Sequence, residues 1–194
     1  MEKINQILES VLNYIDCGNI FRKPFKWLYW VIGVLIALGI LATIVDMFDY
    51  FEYSSAGGKV GLVLIMILML ASAVFSVFYW LRRAKDVENV VDVNARFVAI
   101  PVVAHIIRSL GEFWGICLAI FGTAIFIIGT LFSVRHFGSD GIAGIIGCPI
   151  AGYFTLLLSR FMSESIAVVT SIANDTRSLV EKAEEKAEEK APEE

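Results

Sequence analysis

The sequence has few of the residues on which catalytic and metal sites depend. It contains two histidines and three cysteines among 194 residues. The cysteines, Cys17, Cys117 and Cys148, follow no metal-binding or redox spacing. His105 and His136 have no cluster of other ligand residues around them in the sequence. Patterns typical of a nucleophile triad, a P-loop or a dinucleotide fingerprint are also missing. We therefore expect no enzymatic activity, no cofactor, no metal and no nucleic-acid partner.

Charged residues are also scarce, at 19% of the chain, whereas hydrophobic residues make up 57%. A soluble domain has roughly 45–50% apolar residues by a similar count. The excess is concentrated in four runs long enough to cross ~30 Å of hydrocarbon as helices. These runs are Trp27–Phe48, Val60–Leu81, Phe113–Val134 and Ile142–Phe161. The first is too long for the core of a cleaved signal peptide, which predicts an uncleaved span.

The basic residues alternate strongly along the chain. Fourteen lie in the leading segment, the central connection and the trailing segment, and only Lys59 and Arg135 lie in the two other loops. The positive-inside rule therefore places both termini and the central connection in the cytoplasm.

The predicted fold is an all-α membrane protein in which two transmembrane hairpins carry helices on the cytoplasmic side. The two hairpins share one orientation, which fits either an internal duplication or an ordinary four-span chain with short loops. In the leading segment, five residues recur on one helical face and predict an amphipathic helix: Ile4, Ile7, Leu8, Val11 and Ile15. Pro101 suits the first turn of an interfacial elbow before the third span. The predicted boundaries are 1–24 for the amphipathic helix, 25–82 for the first hairpin, 83–110 for the connection with its elbow, 111–164 for the second hairpin and 165–194 for the cytoplasmic helix and tail.

Four charged residues fall at one predicted depth near the inner interface. Counting along the third and fourth spans from the turn near Phe137 brings Arg108, Glu112, Arg160 and Glu164 to a similar level. Each helix carries an arginine and a glutamate four residues apart, hence on one face. Crossed pairs, Glu112 with Arg160 and Arg108 with Glu164, would neutralise all four. We interpret this predicted quartet as a structural clamp, with an ion or proton pathway as the alternative.

Small residues recur every four positions in the second hairpin, a spacing that lets helices approach closely in lipid. The third span has one such row and the fourth has another. The rows are Gly111, Gly115, Ala119 and Thr123, and then Ala143, Gly147, Ala151, Thr155, Ser159 and Ser163. We predict that they mark a helix crossing, within the hairpin or against another subunit; a glycine-lined pore is the alternative.

Beyond Arg160 the apolar pattern changes to a heptad spacing. Leu158, Phe161, Ser165, Val168, Ile172, Asp175 and Leu179 are spaced alternately three and four residues apart. The pattern predicts that the fourth helix continues unbroken past Glu164 to at least Ile172, with Asn174 and Asp175 as the point where it would fray. Its apolar members beyond Arg160, namely Phe161, Val168, Ile172 and Leu179, form what we call the apolar stripe. The stripe would pack on the chain's own cytoplasmic helices, on a second copy or on a partner protein.

One part of the sequence resembles a known family. The segments "RFVAIPVVAHIIRSLG" and "LLLSRFMSESIAVVTSIANDTRSL" carry the likeness, chiefly at Phe97, Pro101, Arg160, Glu164 and the "IANDT" stretch. They resemble a bacterial membrane-protein family known as domain of unknown function 4282, over roughly residues 96–179. The resemblance implies a small bacterial inner-membrane protein and implies no activity.

The function that the sequence favours is a non-enzymatic membrane scaffold or subunit that acts through its cytoplasmic helices. The runner-up is a small oligomeric channel or transporter. We interpret Asp46, Asp49 and Glu52 as an acidic loop just outside the first span, and a cation-attracting mouth for such a channel is the alternative. Predicted partners are the lipid bilayer and either further copies of the chain or another membrane or cytoplasmic protein.

Overall fold

The computed structural model describes residues 19–87, 99–134 and 141–188. Helix α1 is Asn19–Asp46, followed by a 3-10 turn at Met47–Phe51. Helix α2 is Ala56–Asp86. Helix α3 joins α-helical Ala99–Ile116, a wider π-helical stretch at Cys117–Gly122 and α-helical Thr123–Leu131. Helix α4 is Gly141–Glu188.

All four helices are long and apolar enough to cross a membrane. The qualifying stretches are Pro24–Phe51, Ala56–Asp86, Ile100–Leu131 and Gly141–Val180. Each contains one of the four apolar runs or most of it, so the prediction of an all-helical fold with four membrane-spanning candidates is confirmed. The described residues form no strand.

The helix ends carry recognisable local signals. Ser55 has an extended backbone, and its hydroxyl accepts a hydrogen bond from the Gly58 amide at 3.1 Å, which caps the start of α2. At the end of α3, Ser133 adopts a positive φ of 49°. The amide of Val134 then donates to the Gly129 carbonyl at 2.9 Å, which closes the helix in the manner of a Schellman motif.

The helices pack as neighbours along the chain. Helix α1 runs along α2, α3 runs along α4, and α2 joins the two pairs through α3. Two buried clusters lie at opposite ends of α2. One centres on Tyr29, Trp80 and Phe113, and the other on Leu62 and Ile65.

The connection between the second and third helices is described only from residue 99. The sequence predicts an interfacial elbow that leads into the third span, with Pro101 in the first turn of a helix. Residues 99–110 are helical turns of α3 that include Pro101 and continue directly into the span. A single glycine, Gly111, stands at the junction, and one glycine inside a helix costs only ~1 kcal/mol. The described part of α1 runs from Asn19 and contains Pro24. The predicted amphipathic face, Ile4 to Ile15, lies outside the described residues.

Helix α4 confirms the predicted continuation. It passes Glu164, Ile172 and Asp175 without a break and contains Pro149 as well. Its 48 residues correspond to ~72 Å at 1.5 Å per residue. That length exceeds the ~30 Å of bilayer hydrocarbon by about 40 Å.

Helices α3 and α4 touch backbone to backbone. A Cβ added to Gly152 would lie 2.6 Å from the Gly115 carbonyl oxygen, and one added to Gly111 would lie 1.9 Å from Ser159 Cβ. The contact runs beside the π-helical stretch, where Cys148 Sγ would lie 3.3 Å from a Cβ on Gly122. The small residues of α3 therefore lie at a close helix crossing, as predicted.

On α4 the predicted row is mostly the wrong one. A Cβ added to Gly147 would have no atom within 4 Å, and Ala151 is exposed. The contacting residues are Gly144, Cys148, Gly152 and Ser159. Two parallel rows of small residues, one position apart, occur in this helix, and spacing alone does not distinguish which faces α3.

Candidate functional site at one end of the helices

Three arginines from three helices converge on one buried carboxylate. Glu112 of α3 exposes only 7% of its side chain. Arg83 of α2 donates from Nη2 to Glu112 Oε2. Arg108 donates from Nε to Oε1 at 2.9 Å, and Arg160 of α4 places Nη2 3.7 Å from the same oxygen. We call Arg83, Arg108, Glu112 and Arg160 the charge cluster.

Tyr79 connects the charge cluster to the backbone of α3. Its hydroxyl donates to the Ser109 carbonyl oxygen at 2.9 Å and accepts from Arg83 Nε at 3.3 Å. The Arg83 guanidinium also lies over the Tyr79 ring, 5.4 Å from its centroid, and pairs with Asp86 at 3.5 Å. Arg83 is thus held by a carboxylate, a hydroxyl, an aromatic face and a second carboxylate, which fixes the end of α2 against α3.

A second polar contact ties α1 to the same region. The hydroxyl of Tyr29, a fully buried residue, shares a 2.7 Å hydrogen bond with His105 Nδ1. The Tyr29 ring packs 5.5 Å from the Trp80 ring, and Trp80 packs 5.6 Å from Phe113. Polar partners from all four helices therefore meet at one end, next to a layer of packed aromatic rings.

The structure brings together three of the four residues of the predicted quartet. Glu112 pairs with Arg160, as the crossed arrangement requires. The second crossed pair is wrong, because Arg108 bonds Glu112 within its own helix and Glu164 forms no ion pair with any residue in the described ranges. Glu164 lies one turn beyond Arg160 on an exposed face. The intrahelical geometry at i, i+4 places Arg108 within reach of Glu112 without any help from α4.

Sequence reasoning missed the principal partner of Glu112. The charge pattern assigns Arg83 to a basic connection. In the structure its side chain is only 24% exposed and contacts Glu112 of α3. A signal was present, since Arg83 lies one turn after Tyr79 and Trp80, residues expected at the same interface. Depth counting within each predicted hairpin could not pair a residue of the first with one of the second.

The charge cluster joins α2, α3 and α4 through ion pairs. Its polar groups all lie at one end of the helices. At the opposite end lies a cavity of about 590 Å³ between α1, α2 and α3. Its walls are mainly apolar and include Leu62, Ile65, Met69 and Ile125. Across the described part of the chain, no group of three or more His, Cys, Asp and Glu residues is placed to hold a metal ion.

The apolar stripe on α4 faces away from the other described helices. Phe161, Val168, Ile172 and Leu179 expose 63%, 57%, 60% and 67% of their surfaces. The neighbouring face, which includes Ile166 and Thr170, lies instead beside Ile100 at the start of α3. One face of α4 therefore contacts α3, and the apolar stripe is left exposed.

Comparison with known proteins gives no family for this chain: no protein-family model matches it, and neither a search of curated proteins nor a search of solved structures finds a match. The resemblance to domain of unknown function 4282 stays a prediction.

Proposed function

We propose that this chain is a multi-pass protein of a bacterial inner membrane that acts as a non-enzymatic scaffold or subunit. In this proposal the four helices cross the bilayer as two hairpins, and both termini lie in the cytoplasm. The segment of α4 beyond the membrane docks a helix of another protein subunit along the apolar stripe.

The observation that carries the proposal is the exposed stripe on a helix that is far longer than the bilayer. If the hydrocarbon begins at Gly141, it ends near Phe161 after ~30 Å. Val168 and Ile172 then lie ~10–17 Å beyond it. An exposed apolar surface in water marks an interaction site, and heptad spacing suits a partner that is itself helical.

The uneven distribution of lysine and arginine residues supports the proposed orientation, in which both termini are cytoplasmic. Among the described residues, Lys26, Arg83, Arg108 and Arg160 lie towards the end of the helices that holds the charge cluster, and Lys59 lies towards the other. By the positive-inside rule the charge cluster is on the cytoplasmic side. The projecting part of α4 leaves the membrane on this same side.

The position of the polar groups favours a scaffold over a channel. A conducting path needs polar groups or water along the whole thickness of the bilayer. The charge cluster occupies one end, whereas the cavity at the other end has mainly apolar walls. Between them lie tightly packed rings such as Phe75, Phe113 and Phe121.

Two negative charges on the apolar stripe should detach the docked helix. We expect Val168→Asp with Ile172→Asp to reduce the size of the complex purified in mild detergent, or to remove a co-purifying protein, with membrane insertion unchanged. The matched control is Ala167→Asp with Ser171→Asp, which adds the same charges at exposed positions off the stripe. Size-exclusion chromatography with light scattering and mass spectrometry reads out both effects. Identical complexes from wild type, double variant and control would refute docking on this stripe.

A further inference from the structure

The charge cluster has more hydrogen-bond donors than acceptors. Each guanidinium carries five N–H groups and no acceptor. The three arginines share the Glu112 carboxylate, and only Arg83 has a second carboxylate, Asp86. Arg108 and Arg160 are therefore left with donors that no described side chain uses, at 46% and 59% side-chain exposure.

The two exposed arginines are placed to hold one anion together. Arg108 Nε and Arg160 Nη2 approach the same oxygen, Glu112 Oε1, at 2.9 and 3.7 Å, so the two guanidinium groups are close neighbours. The surrounding charge is also positive. Up to Glu164 of α4, the side chains that the structure describes towards this end are six basic and three acidic, namely Lys26, Arg82, Arg83, Lys85, Arg108 and Arg160 with Asp86, Glu112 and Glu164. Arginine is suited to a phosphate because its planar fork donates two parallel hydrogen bonds.

An apolar groove leads away from Arg160 along α4. Tyr153, Leu156, Leu157 and Phe161 line it together with Arg160 and Glu164, and its volume is about 490 Å³. The groove lies within the stretch of α4 that is long and apolar enough to span a membrane. Its apolar wall and the guanidinium group of Arg160 at its end match the two parts of a phospholipid, an acyl chain and a phosphate.

We propose that Arg108 and Arg160 bind the phosphate of an anionic phospholipid whose acyl chain lies in this groove. Glu164 adds a constraint on the headgroup, because a carboxylate one turn beyond Arg160 accepts hydrogen bonds and repels a second phosphate charge. The headgroup that fits carries a single anionic phosphate and hydroxyl donors beyond it, as phosphatidylglycerol does. The site requires only that the helices span a bilayer. It shares Phe161 with the apolar stripe but not Val168 or Ile172, so loss of docking through those two residues leaves the lipid site in place.

The test measures lipid binding to the full chain in a non-ionic detergent. Thermal unfolding is followed while phosphatidylglycerol, phosphatidylcholine or inorganic phosphate is added, and native mass spectrometry counts the retained lipid. We expect phosphatidylglycerol to raise the melting temperature and to remain bound, with phosphatidylcholine weaker and inorganic phosphate without effect at the same concentration. Arg160→Gln should raise the half-saturating phosphatidylglycerol concentration about tenfold, since it removes a charge-assisted hydrogen bond.

The control is Lys59→Gln, which removes one positive charge at the opposite end of α2 and should leave the half-saturating concentration unchanged. Arg160→Lys keeps the charge but loses the planar fork, so it should weaken binding less than Arg160→Gln and gives a second folded variant. Equal effects of the two lipids would overturn the proposal, as would an equal loss in Lys59→Gln. A response to inorganic phosphate that matches the lipid response would overturn it as well and assign the site to a free anion instead.

Discussion

Replacing Glu112 by glutamine should lower the free energy of unfolding by about 2–4 kcal/mol. The change leaves the three guanidinium groups of Arg83, Arg108 and Arg160 around a neutral amide. No negative charge at position 112 then offsets the repulsion between them. The expected loss is below the upper range for buried pairs because Arg108 and Arg160 are half exposed and can turn towards water. Unfolding by a denaturing detergent, followed by circular dichroism, measures it.

The matched control is Glu164→Gln, which removes the same charge one helix turn from Arg160. Glu164 has no ion pair in the described part of the chain, and the expected change is within ~0.5 kcal/mol. A double-mutant cycle with Arg83→Gln should show a coupling of about 1–3 kcal/mol between positions 83 and 112. Equal losses of stability in Glu112→Gln and Glu164→Gln, with no coupling to position 83, would contradict the claim that the charge cluster holds the helices together.

The charge cluster also changes what a charge swap between α3 and α4 should achieve. The sequence alone predicts that Glu112→Arg with Arg160→Glu recovers part of the stability lost in Arg160→Glu. In the structure, an arginine at position 112 would face Arg83 as well as Arg108. We therefore expect little recovery from the swap, because only one of the three original contacts regains an opposite charge.

The same substitution at two glycines of α4 should have effects of opposite sign. Gly152→Ala places a methyl group 2.6 Å from the Gly115 carbonyl oxygen and 2.8 Å from the Ala119 amide nitrogen. Both are backbone atoms that cannot rotate away, so α3 and α4 must separate, at a cost of about 1–3 kcal/mol. Gly147→Ala meets no atom within 4 Å and should be neutral or stabilising by up to ~1 kcal/mol through its helix propensity.

Unfolding free energies of the two alanine variants, measured in one detergent, decide this prediction. A complementary readout is disulfide formation between Cys148 and a cysteine placed at Gly122, whose Cβ atoms would lie 3.6 Å apart. It should slow in Gly152→Ala and remain unchanged in Gly147→Ala. If Gly147→Ala were the more damaging variant, α4 would face α3 with the other row of small residues.

The sequence predicts the helices better than their contacts, for physical reasons. Span length and apolar composition are local quantities, so four spans and the continuous helix past Glu164 follow from the residues themselves. Which face of α4 meets α3 depends on a rotation of the helix, and the rows through Gly147 and Gly152 are both compatible with close packing. The pairing of Arg83 with Glu112 joins α2 to α3, and its geometry is set by how the two helix pairs pack together.

Two different spacings explain the success and the error in the predicted quartet. Counting residues from the turn between α3 and α4 correctly brings Glu112 to the level of Arg160, and the i, i+4 spacing puts Arg108 and Glu112 on one face of α3. The same i, i+4 spacing allows Arg108 to bond Glu112 on its own helix, and that shorter-range contact forms at 2.9 Å. Glu164 is then left on the exposed face, where its carboxylate has a role only towards a ligand or solvent.

The most direct test of docking on the apolar stripe is a measurement of what surrounds Val168 and Ile172 when the protein is in a bilayer. A spin label is attached at either position in a chain whose three cysteines are replaced by alanine, and its collisions with oxygen and with a water-soluble nickel chelate are measured. We predict low collision rates with both reagents, because a docked helix covers the apolar stripe. A label at Ser171, off the stripe, should collide freely with the nickel chelate. High oxygen and low nickel collision rates at Val168 and Ile172 would place the stripe in lipid, and high nickel rates would leave it uncovered in water; either result would contradict docking on the stripe.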